Sequence, residues 1–312
     1  MVVVDRIAVI PQLPEPGKTQ YTTKPIEEYV GGHPANVAID LVKLGLKPSL
    51  IGIVAGVGRD SSGKFIKQTI ASYGIKSFLK EKNLPTGQDL IIVPEGHDRI
   101  FNISPGANLE LNLQDIDYAL AKHKPKIFSI RPGYSGIDDK IVDILRGLKE
   151  SGIFIFLDLM RPYKKDWDYI CAALPFASCI HCNDIEAMNI TRKNTVQEAM
   201  YAFLDYGVDL VLITTGEGGA KLATAKTFIT QPAFRVKTVD PTGCGDAFCA
   251  GIIKKFIDWG LPDISTLSLY QLDELLSFAQ AVGGACATGI GSTTGISIAK
   301  VIEIMKGGER YE

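Results

Sequence analysis

The sequence predicts an α/β fold in which a mostly parallel central sheet is covered by helices on both faces. From about residue 126 onward, short apolar runs typical of buried strands alternate with stretches of helical periodicity. The strand-like runs are 127–130, 153–157, 178–182 and 210–213, and the helical stretches lie near 137–150 and 195–206. Continuous apolar strands separated by helices are typical of parallel sheets buried on both faces. Ligands of such sheets bind beyond the carboxyl ends of the strands. The polar residues at those ends are Arg131, Asp158, Asn183 with Glu186, and Thr214 with Gly216.

Composition limits the classes of function. The chain has 312 residues, 46% of them hydrophobic, which suits one large α/β domain over residues 1–312. The formal net charge is −2 with acids and bases well mixed, so nothing indicates nucleic-acid or membrane binding. Six cysteines without disulfide-scaffold spacing suit a reducing cytoplasm. The C-x-x-C at 179–182 has no second ligand pair nearby, and we interpret it as part of a buried strand.

A glycine-rich turn at residues 240–246 is the strongest functional signal. It reads Asp-Pro-Thr-Gly-Cys-Gly-Asp and leads into an apolar helix that runs to Trp259. The backbone N–H groups of Gly243, Cys244 and Gly245 would lie at the N-terminus of that helix, where an anion is favoured. Asp246 alone is best explained as an N-terminal cap. Beside an amide-lined anion site, however, it could take a proton from a hydroxyl that attacks a phosphoryl group.

This turn resembles the C-terminal signature of the ribokinase-like (PfkB) carbohydrate kinases, roughly D-T-x-G-A/C-G-D. The resemblance implies a ribokinase-like fold and transfer of the terminal phosphoryl group of ATP, or of another nucleotide, to a carbohydrate hydroxyl. It implies that Asp246 is the catalytic base and that the amides of Gly243, Cys244 and Gly245 form the anion hole.

The same resemblance implies two kinds of cation. Asp240 and Thr242 match two ligands of a monovalent-cation site, which would hold K⁺. Asn183 and Glu186 fit the family's N-x-x-E element, in which Glu186 organises Mg²⁺ largely through water. The spacing of three places both side chains on one side of a helical turn. A short polar helix cap has the same form, and that alternative stays open.

A second signature lies near the N-terminus. Residues 31–38 read Gly-Gly-His-Pro-Ala-Asn-Val-Ala and match the family pattern G-G-x-[GAP]-x-N-x-A. By spacing alone they suit any strand–turn–helix junction. The resemblance implies that Gly31, Gly32 and Asn36 contact the sugar. His33 stands at the variable position, and we interpret it as a partly exposed residue at the start of a helix.

Asp5 is the substrate-binding carboxylate that the resemblance implies. Strand-like residues 2–4 and 7–10 flank it, whereas relatives have a full hydrophobic strand before this aspartate. We expect either that the chain starts late or that this strand is shortened. Without the resemblance, Asp5 reads as a surface turn residue.

A small β-strand lid over the sugar is expected. Residues 86–103 alternate as two short strands joined around 94–98, which indicates a hairpin. In the family, such strands and the segment after Asp5 form a lid that excludes water and often makes the dimer contact. The expected lid segments are about 6–30 and 86–105, and a homodimer through them is a hypothesis.

Residues 214–220 resemble the family's nucleotide loop, T-x-G-x-x-G. The resemblance implies that Asn183, Thr214, Gly216 and Gly218 bind the nucleotide, while a plain hairpin turn remains the alternative. Residues 58–64 nearly spell a phosphate-binding P-loop, but Phe65 stands where a Mg²⁺-binding hydroxyl is required, so we reject that interpretation.

The sequence leaves the acceptor open. Arg99, Arg131 and Arg161 could favour an acidic or phosphorylated sugar, yet each also reads as a solvated surface arginine. We carry Arg131 as a substrate-binding candidate. ATP and ADP are not distinguished as donors. The alternatives are a catalytically silent sugar-binding regulator on the same fold, or a kinase of a nucleoside, inositol or sugar phosphate. A dinucleotide-binding dehydrogenase lacks its G-x-G-x-x-G motif here.

Overall fold

The helices and strands follow the predicted order in a computed structural model that describes residues 1–95 and 99–311. The strands are β1 Val3–Ile10, β2 Glu27–Gly31, β3 Gly52–Val57, β4 Lys76–Glu81, β5 Gln88–Pro94, β6 Ile100–Ser104, β7 Ile127–Ile130, β8 Phe154–Asp158, β9 Cys179–Asn183, β10 Leu210–Thr214, β11 Ala220–Ala223 and β12 Phe228–Gln231. The α-helices are α1 His33–Lys43, α2 Ser61–Ser72, α3 Leu113–His123, α4 Ile141–Glu150, α5 Asp168–Cys171, α6 Asp184–Thr191, α7 Val196–Asp205, α8 Cys244–Asp258, α9 Leu269–Ala287 and α10 Ile298–Gly307.

The largest sheet has six strands in the order β12-β11-β10-β9-β8-β7. Strands β7 to β10 pair in parallel, and β11 and β12 are antiparallel additions. The predicted α/β class is confirmed, and the central sheet is mixed, with a parallel part of four strands. The apolar runs predicted as strands correspond to β7 to β10, because strands covered on both faces are mostly apolar.

The second sheet contains the residues expected to form the lid. Its four strands lie in the order β2-β1-β5-β6. Strands β5 and β6 form the predicted antiparallel hairpin, although positions 96–98 of its turn lie outside the described residues. Strand β1 runs unbroken through Asp5, which is buried, so the surface-turn interpretation of Asp5 is wrong.

Strands β3 and β4 form a separate parallel pair. Within the described residues, no strand pairs with the outer edge of β3 or of β7. A cavity of about 530 Å³ lies between these edges, and its walls include residues of α1 and α3. Helix α1 packs against β3, β7 and α8. Packing on α1 therefore joins the β3–β4 pair to the six-stranded sheet, although β3 and β7 are not hydrogen-bonded to each other.

Helices α8 and α9 pack closely at the centre of one hydrophobic cluster. A Cβ added to Gly251 would come 2.8 Å from the Cα of Ala279, so this approach requires a glycine. Helix α9 contains many small residues, which permit this close packing. In the part of the chain that the structure describes, no helix is long and apolar enough to cross a membrane.

Candidate active site

The glycine-rich turn at 240–243 places Asp246 in the first turn of α8. Gly243 has a φ of +81°, and a Cβ there would lie 2.5 Å from the Ser292 carbonyl oxygen, so glycine is required. The amide of Cys244 donates to the Pro241 carbonyl at 3.3 Å, which closes the turn. Asp246 is 4% exposed. The N-terminus of α8 and its carboxylate are therefore held in a fixed relation.

Asp246 bonds to three side chains from two distant segments. Its Oδ2 accepts from Nδ2 of Asn36 at 2.7 Å, and its Oδ1 lies 2.9 Å from Nδ1 of His33. The Arg131 guanidinium also donates to Oδ1. Among the described residues, the Asp246 side chain makes no capping hydrogen bond to its own helix. The interpretation of Asp246 as a simple N-terminal cap is therefore wrong.

A chain of polar contacts leads from Arg131 and His33 to the end of β10. Asp158 Oδ2 accepts from Arg131 Nε at 2.6 Å and lies 3.1 Å from His33 Nδ1. Asp158 Oδ1 lies 2.7 Å from His181 Nδ1, and His181 Nε2 lies 3.2 Å from Thr214 Oγ1. The carboxylate at α8 is thus linked to the first residue of the predicted nucleotide loop.

Opposed effects determine the protonation of this cluster. Burial alone would raise the pKa of Asp246 and of Asp158, but Arg131 and His33 outweigh it and hold both pKa values below the ordinary range. Burial alone would lower the pKa of His33, but Asp158 and Asp246 outweigh it, so this pKa lies above its ordinary value. Both carboxylates are therefore ionised at neutral pH.

Three buried donors in this cluster, on His33, Asp158 and Cys249, have ligand atoms within 4.8 Å of one another. The Asp158 carboxylate is already paired with Arg131 and His181. The guanidinium of Arg131 supplies the positive charge that a metal ion would bring, and it would repel one. We therefore do not assign a metal site to these residues.

Asp5 lies close enough to Asp246 for the two carboxyl groups to interact electrostatically. Burial, and next the neighbouring Asp89 and Asp246, raise the pKa of Asp5 to about 8. Burial likewise raises the pKa of Asp89 to about 6. A Cβ on Gly31 would lie 2.0 Å from Asp5 Oδ2, so Gly31 leaves room for this carboxyl group.

Gly32 and Asn36, two further predicted sugar contacts, lie against other parts of the protein. Gly32 has a φ of +87°, and a Cβ there would lie 2.4 Å from the Met1 carbonyl oxygen. Asn36 donates to Asp246, while its buried Oδ1 has no hydrogen-bond partner among the described residues. The contact of either residue with a sugar stays a prediction.

Asp240 and Thr242, the predicted cation ligands, contact each other. Asp240 Oδ1 accepts from the Thr242 amide at 2.8 Å and from its Oγ1 at 2.6 Å. Asp240 Oδ2 accepts from the Gly291 amide at 2.8 Å. Arg99 lies 3.3 Å from Oδ1. These bonds hold the glycine-rich turn against the segment that contains Ser292.

On the nucleotide side, Asn183 and Glu186 form a reciprocal capping box at the start of α6. Asn183 Oδ1 accepts from the Glu186 amide at 2.8 Å, and Glu186 Oε2 accepts from the Asn183 amide at 3.0 Å. The polar-cap alternative is therefore present in the structure. Burial raises the pKa of Glu186. A role in Mg²⁺ binding stays a prediction.

The loop after Thr214 turns tightly through glycines. Gly216 has a φ of +60°, and Gly218 lies within the same short 3-10 turn. A Cβ on Gly219 would lie 2.0 Å from the Gln231 carbonyl oxygen. The loop connects β10 to the antiparallel β11, as a hairpin turn does. Nucleotide binding by Thr214, Gly216 and Gly218 stays a prediction.

Sequence reasoning missed part of this cluster. His33 is 1% exposed, so its interpretation as a partly exposed residue is wrong. The surface interpretation of Arg131 is also wrong, because its guanidinium is paired with two buried carboxylates. His181 lies in the run 178–182 that the sequence predicts as a buried strand, and β9 confirms that strand. The positions of Arg131 and Asp158 at strand ends were the available signals.

Comparisons with known proteins agree with this geometry. The chain matches the family model described as pfkB family carbohydrate kinase over residues 1–299. It is 27% identical to aminoimidazole riboside kinase of Salmonella typhimurium over 282 residues, 85% of this chain and 84% of the relative. It is 27% identical to fructokinase-2 of Solanum lycopersicum over 303 residues, 89% and 87% of the two chains. A ribokinase from Arabidopsis thaliana, complexed with ribose and ATP, superposes with a TM-score of 0.78 at 21% identity, covering 98% of this chain and 96% of that chain.

The chain therefore belongs to the pfkB family of carbohydrate kinases. It is a sugar kinase, a phosphotransferase whose acceptor is a hydroxyl group. The ribokinase-like fold expected from the sequence is confirmed.

Proposed function

We propose that the chain transfers the terminal phosphoryl group of ATP to a hydroxyl group of an uncharged sugar or riboside, with Asp246 as general base. The observation that carries this proposal is the buried carboxylate of Asp246, kept ionised by Arg131 and His33 at the N-terminus of α8. An ionised carboxylate can accept the acceptor's proton as its oxygen attacks phosphorus.

The glycine-rich turn supports the same chemistry. The amides of Gly243, Cys244 and Gly245 lie at the positive end of α8, where they would stabilise the phosphoryl oxygens during transfer. Glu186 would hold Mg²⁺ through water, and Asp240 with Thr242 would hold K⁺. These cations would neutralise charge on the phosphate chain and beside the anion hole when bound.

Charges around the acceptor pocket support an uncharged acceptor. Burial, and next the neighbouring Asp89 and Asp246, raise the pKa of Asp5 to about 8, so negative charge is disfavoured beside Asp5. Arg131, the candidate for binding an acidic or phosphorylated sugar, is already paired with Asp158 and Asp246. An anionic substrate would therefore lie beside carboxyl groups, and Arg131 would not be available to neutralise its charge. The names of the two relatives, a riboside kinase and a fructokinase, agree with this class.

Turnover of a panel of acceptors would test the proposal. Uncharged ketoses, aldoses, ribosides and inositol are compared with sugar acids and sugar phosphates, using ATP or ADP with Mg²⁺, with and without K⁺. We expect ATP-dependent turnover of an uncharged acceptor, with kcat/KM at least about tenfold above its phosphorylated form, because like charges placed together are unfavourable and a tenfold ratio corresponds to about 1.4 kcal/mol. A preference for the phosphorylated form would contradict the substrate class. Sugar binding without turnover would favour the silent regulator.

We further propose that the four-stranded sheet is a lid, that it makes a homodimer contact, and that the protein works in the cytoplasm. Leu90, Ile100 and Phe101 of the sheet are exposed, which supports an apolar contact surface. The six free thiols support a reducing compartment. A dimer at micromolar concentration is expected in sedimentation, and Phe101→Glu should convert it to a monomer. A wild-type chain that sediments only as a monomer would contradict the dimer.

A further inference from the structure

His33 lies between the two ionised carboxylates of the cluster. Its Nδ1 is 2.9 Å from Asp246 Oδ1 and 3.1 Å from Asp158 Oδ2. Two carboxylates at one ring nitrogen require a proton on Nδ1, since both of them can only accept. The other nitrogen, Nε2, lies 3.1 Å from the Ser129 hydroxyl, which can accept a hydrogen bond from it or donate one to it. The imidazolium form is therefore fully bonded.

The contacts also identify the oxygen of Asp246 that is open to a substrate. An ionised carboxylate has about four acceptor positions, two on each oxygen. Within the described residues, Oδ1 receives His33 and Arg131, whereas Oδ2 receives only Asn36. The remaining position is on Oδ2, so the acceptor hydroxyl would donate its proton there.

We propose that His33 is a positioning residue that, as an imidazolium, fixes Oδ1 of Asp246 and sets how readily Oδ2 takes a proton. The proposal rests on the proposed role of Asp246 as base. It also links the base to the nucleotide side, because Asp158, His181 and Thr214 continue the chain of contacts. Nothing in the family signature requires a histidine here, since residue 33 occupies its variable position.

In the cluster formed by His33, Arg131, Asp158 and Asp246, His33 is the group whose charge changes nearest to neutral pH. The ionisable groups that face His33 and Asp246 are Arg131 after β7, Asp158 on β8, His181 on β9, Cys249 on α8, Asp40 on α1, Asp5 on β1 and the α-amino group of Met1. Arg131 remains charged, and the Asp158 pKa lies far below neutrality. Burial raises the pKa of Asp40 and of the Cys249 thiol well above their ordinary values.

The direction of the pH effect follows from the raised pKa of His33. Its positive charge is present at and below its ordinary pKa of 6.5, and is lost as pH rises through the higher value in the folded protein. Protonated His33 with Arg131 balances Asp158 and Asp246. On the alkaline side Asp246 loses one of its two cationic partners, and its geometry at Oδ1 is held less firmly.

Histidine NMR tests this without any enzyme activity, because the chain has only 4 histidines. His33→Gln assigns the His33 signals, and Asp246→Asn is then titrated beside the wild type. We expect His33 to titrate above 6.5, and its pKa to fall by about one to three units in Asp246→Asn, as is usual when an adjacent opposite charge is removed. A His33 pKa at or below 6.5, or one unchanged in Asp246→Asn, would overturn the inference.

Kinetics provides the second readout, using the uncharged acceptor with the highest turnover in the panel. We expect His33→Gln to lower kcat about tenfold or more with little change in KM, and to shift the acidic limb of kcat/KM upward by about one to three pH units. His33→Lys, which keeps a cation, should restore part of kcat. His123→Gln, a histidine at the end of α3, should behave like wild type. An unchanged pH profile in an active His33→Gln enzyme would refute the inference, whereas an inactive wild type would refute the proposed function.

Discussion

Asp246→Asn is expected to lower kcat by about a hundredfold to ten-thousandfold, the usual contribution of a general base. KM for acceptor and nucleotide should change much less, because the substitution keeps the size of the side chain. The fold should tolerate it, since the Asn36 amide can rotate and offer its unpartnered Oδ1 to the new amide nitrogen. Steady-state kinetics with the preferred acceptor gives the result directly.

The matched control for Asp246→Asn is Asp258→Asn at the other end of α8. Asp258 is partly exposed and pairs with Lys254 on the same helix. Its substitution removes a carboxylate from α8 without touching the cluster, so we expect unchanged kcat and KM. A kcat for Asp246→Asn within about threefold of wild type would mean that another group accepts the proton.

Arg131→Met is expected to lower the free energy of unfolding by about 3–5 kcal/mol, the usual effect of removing one partner of a buried ion pair. The guanidinium pairs with both Asp158 and Asp246, and methionine would leave these buried carboxylates with His33 as their nearest cation. Urea unfolding at neutral pH measures the loss. Arg146→Met, which removes an exposed ion pair with Asp143, should cost less than about 1 kcal/mol.

The pH dependence of that loss follows from the pKa values. The pKa values of Asp158 and Asp246 lie below 3.8 in the folded protein. Their contribution to stability is therefore present above 3.8 and is lost as pH falls through the folded values. Without Arg131 both pKa values rise, so the gap between wild type and variant should narrow towards acid pH. Arg131→Met combined with Asp158→Asn should recover part of the loss, and a gap that widens at acid pH would contradict this account.

Local patterns in the sequence were sufficient for much of the fold. The run 127–130 became β7, because a short run with three apolar residues between helical stretches is typical of a strand in a parallel sheet. The glycine-rich turn was equally predictable. The structure requires glycine at 243, because φ is positive there and contact with Ser292 excludes a side chain, and a required glycine is visible in the sequence. Asp246 was found through this turn and through its family signature.

The partners of Asp246 could not be read in the same way. His33, Arg131 and Asp158 meet it only because α1, β7 and β8 come together in the folded chain, and no local pattern records that meeting. A histidine after two glycines looks the same whether it is solvated or buried. The gap between β3 and β7 could not be predicted either, because it depends on which strands distant in sequence pair with each other. Asn183 and Glu186 fitted both a metal-binding motif and a helix cap. The capping hydrogen bonds between them are visible only in the folded structure.

The distance along the chain between His33 and Asp246 has a consequence for biosynthesis. The two residues are 213 positions apart. At roughly 5–20 residues per second, a ribosome needs about 10–40 s to translate the stretch between them. Throughout that interval α1 has emerged without α8, the helix that it packs against. The nascent polypeptide must therefore keep this apolar surface from aggregating until α8 has been translated.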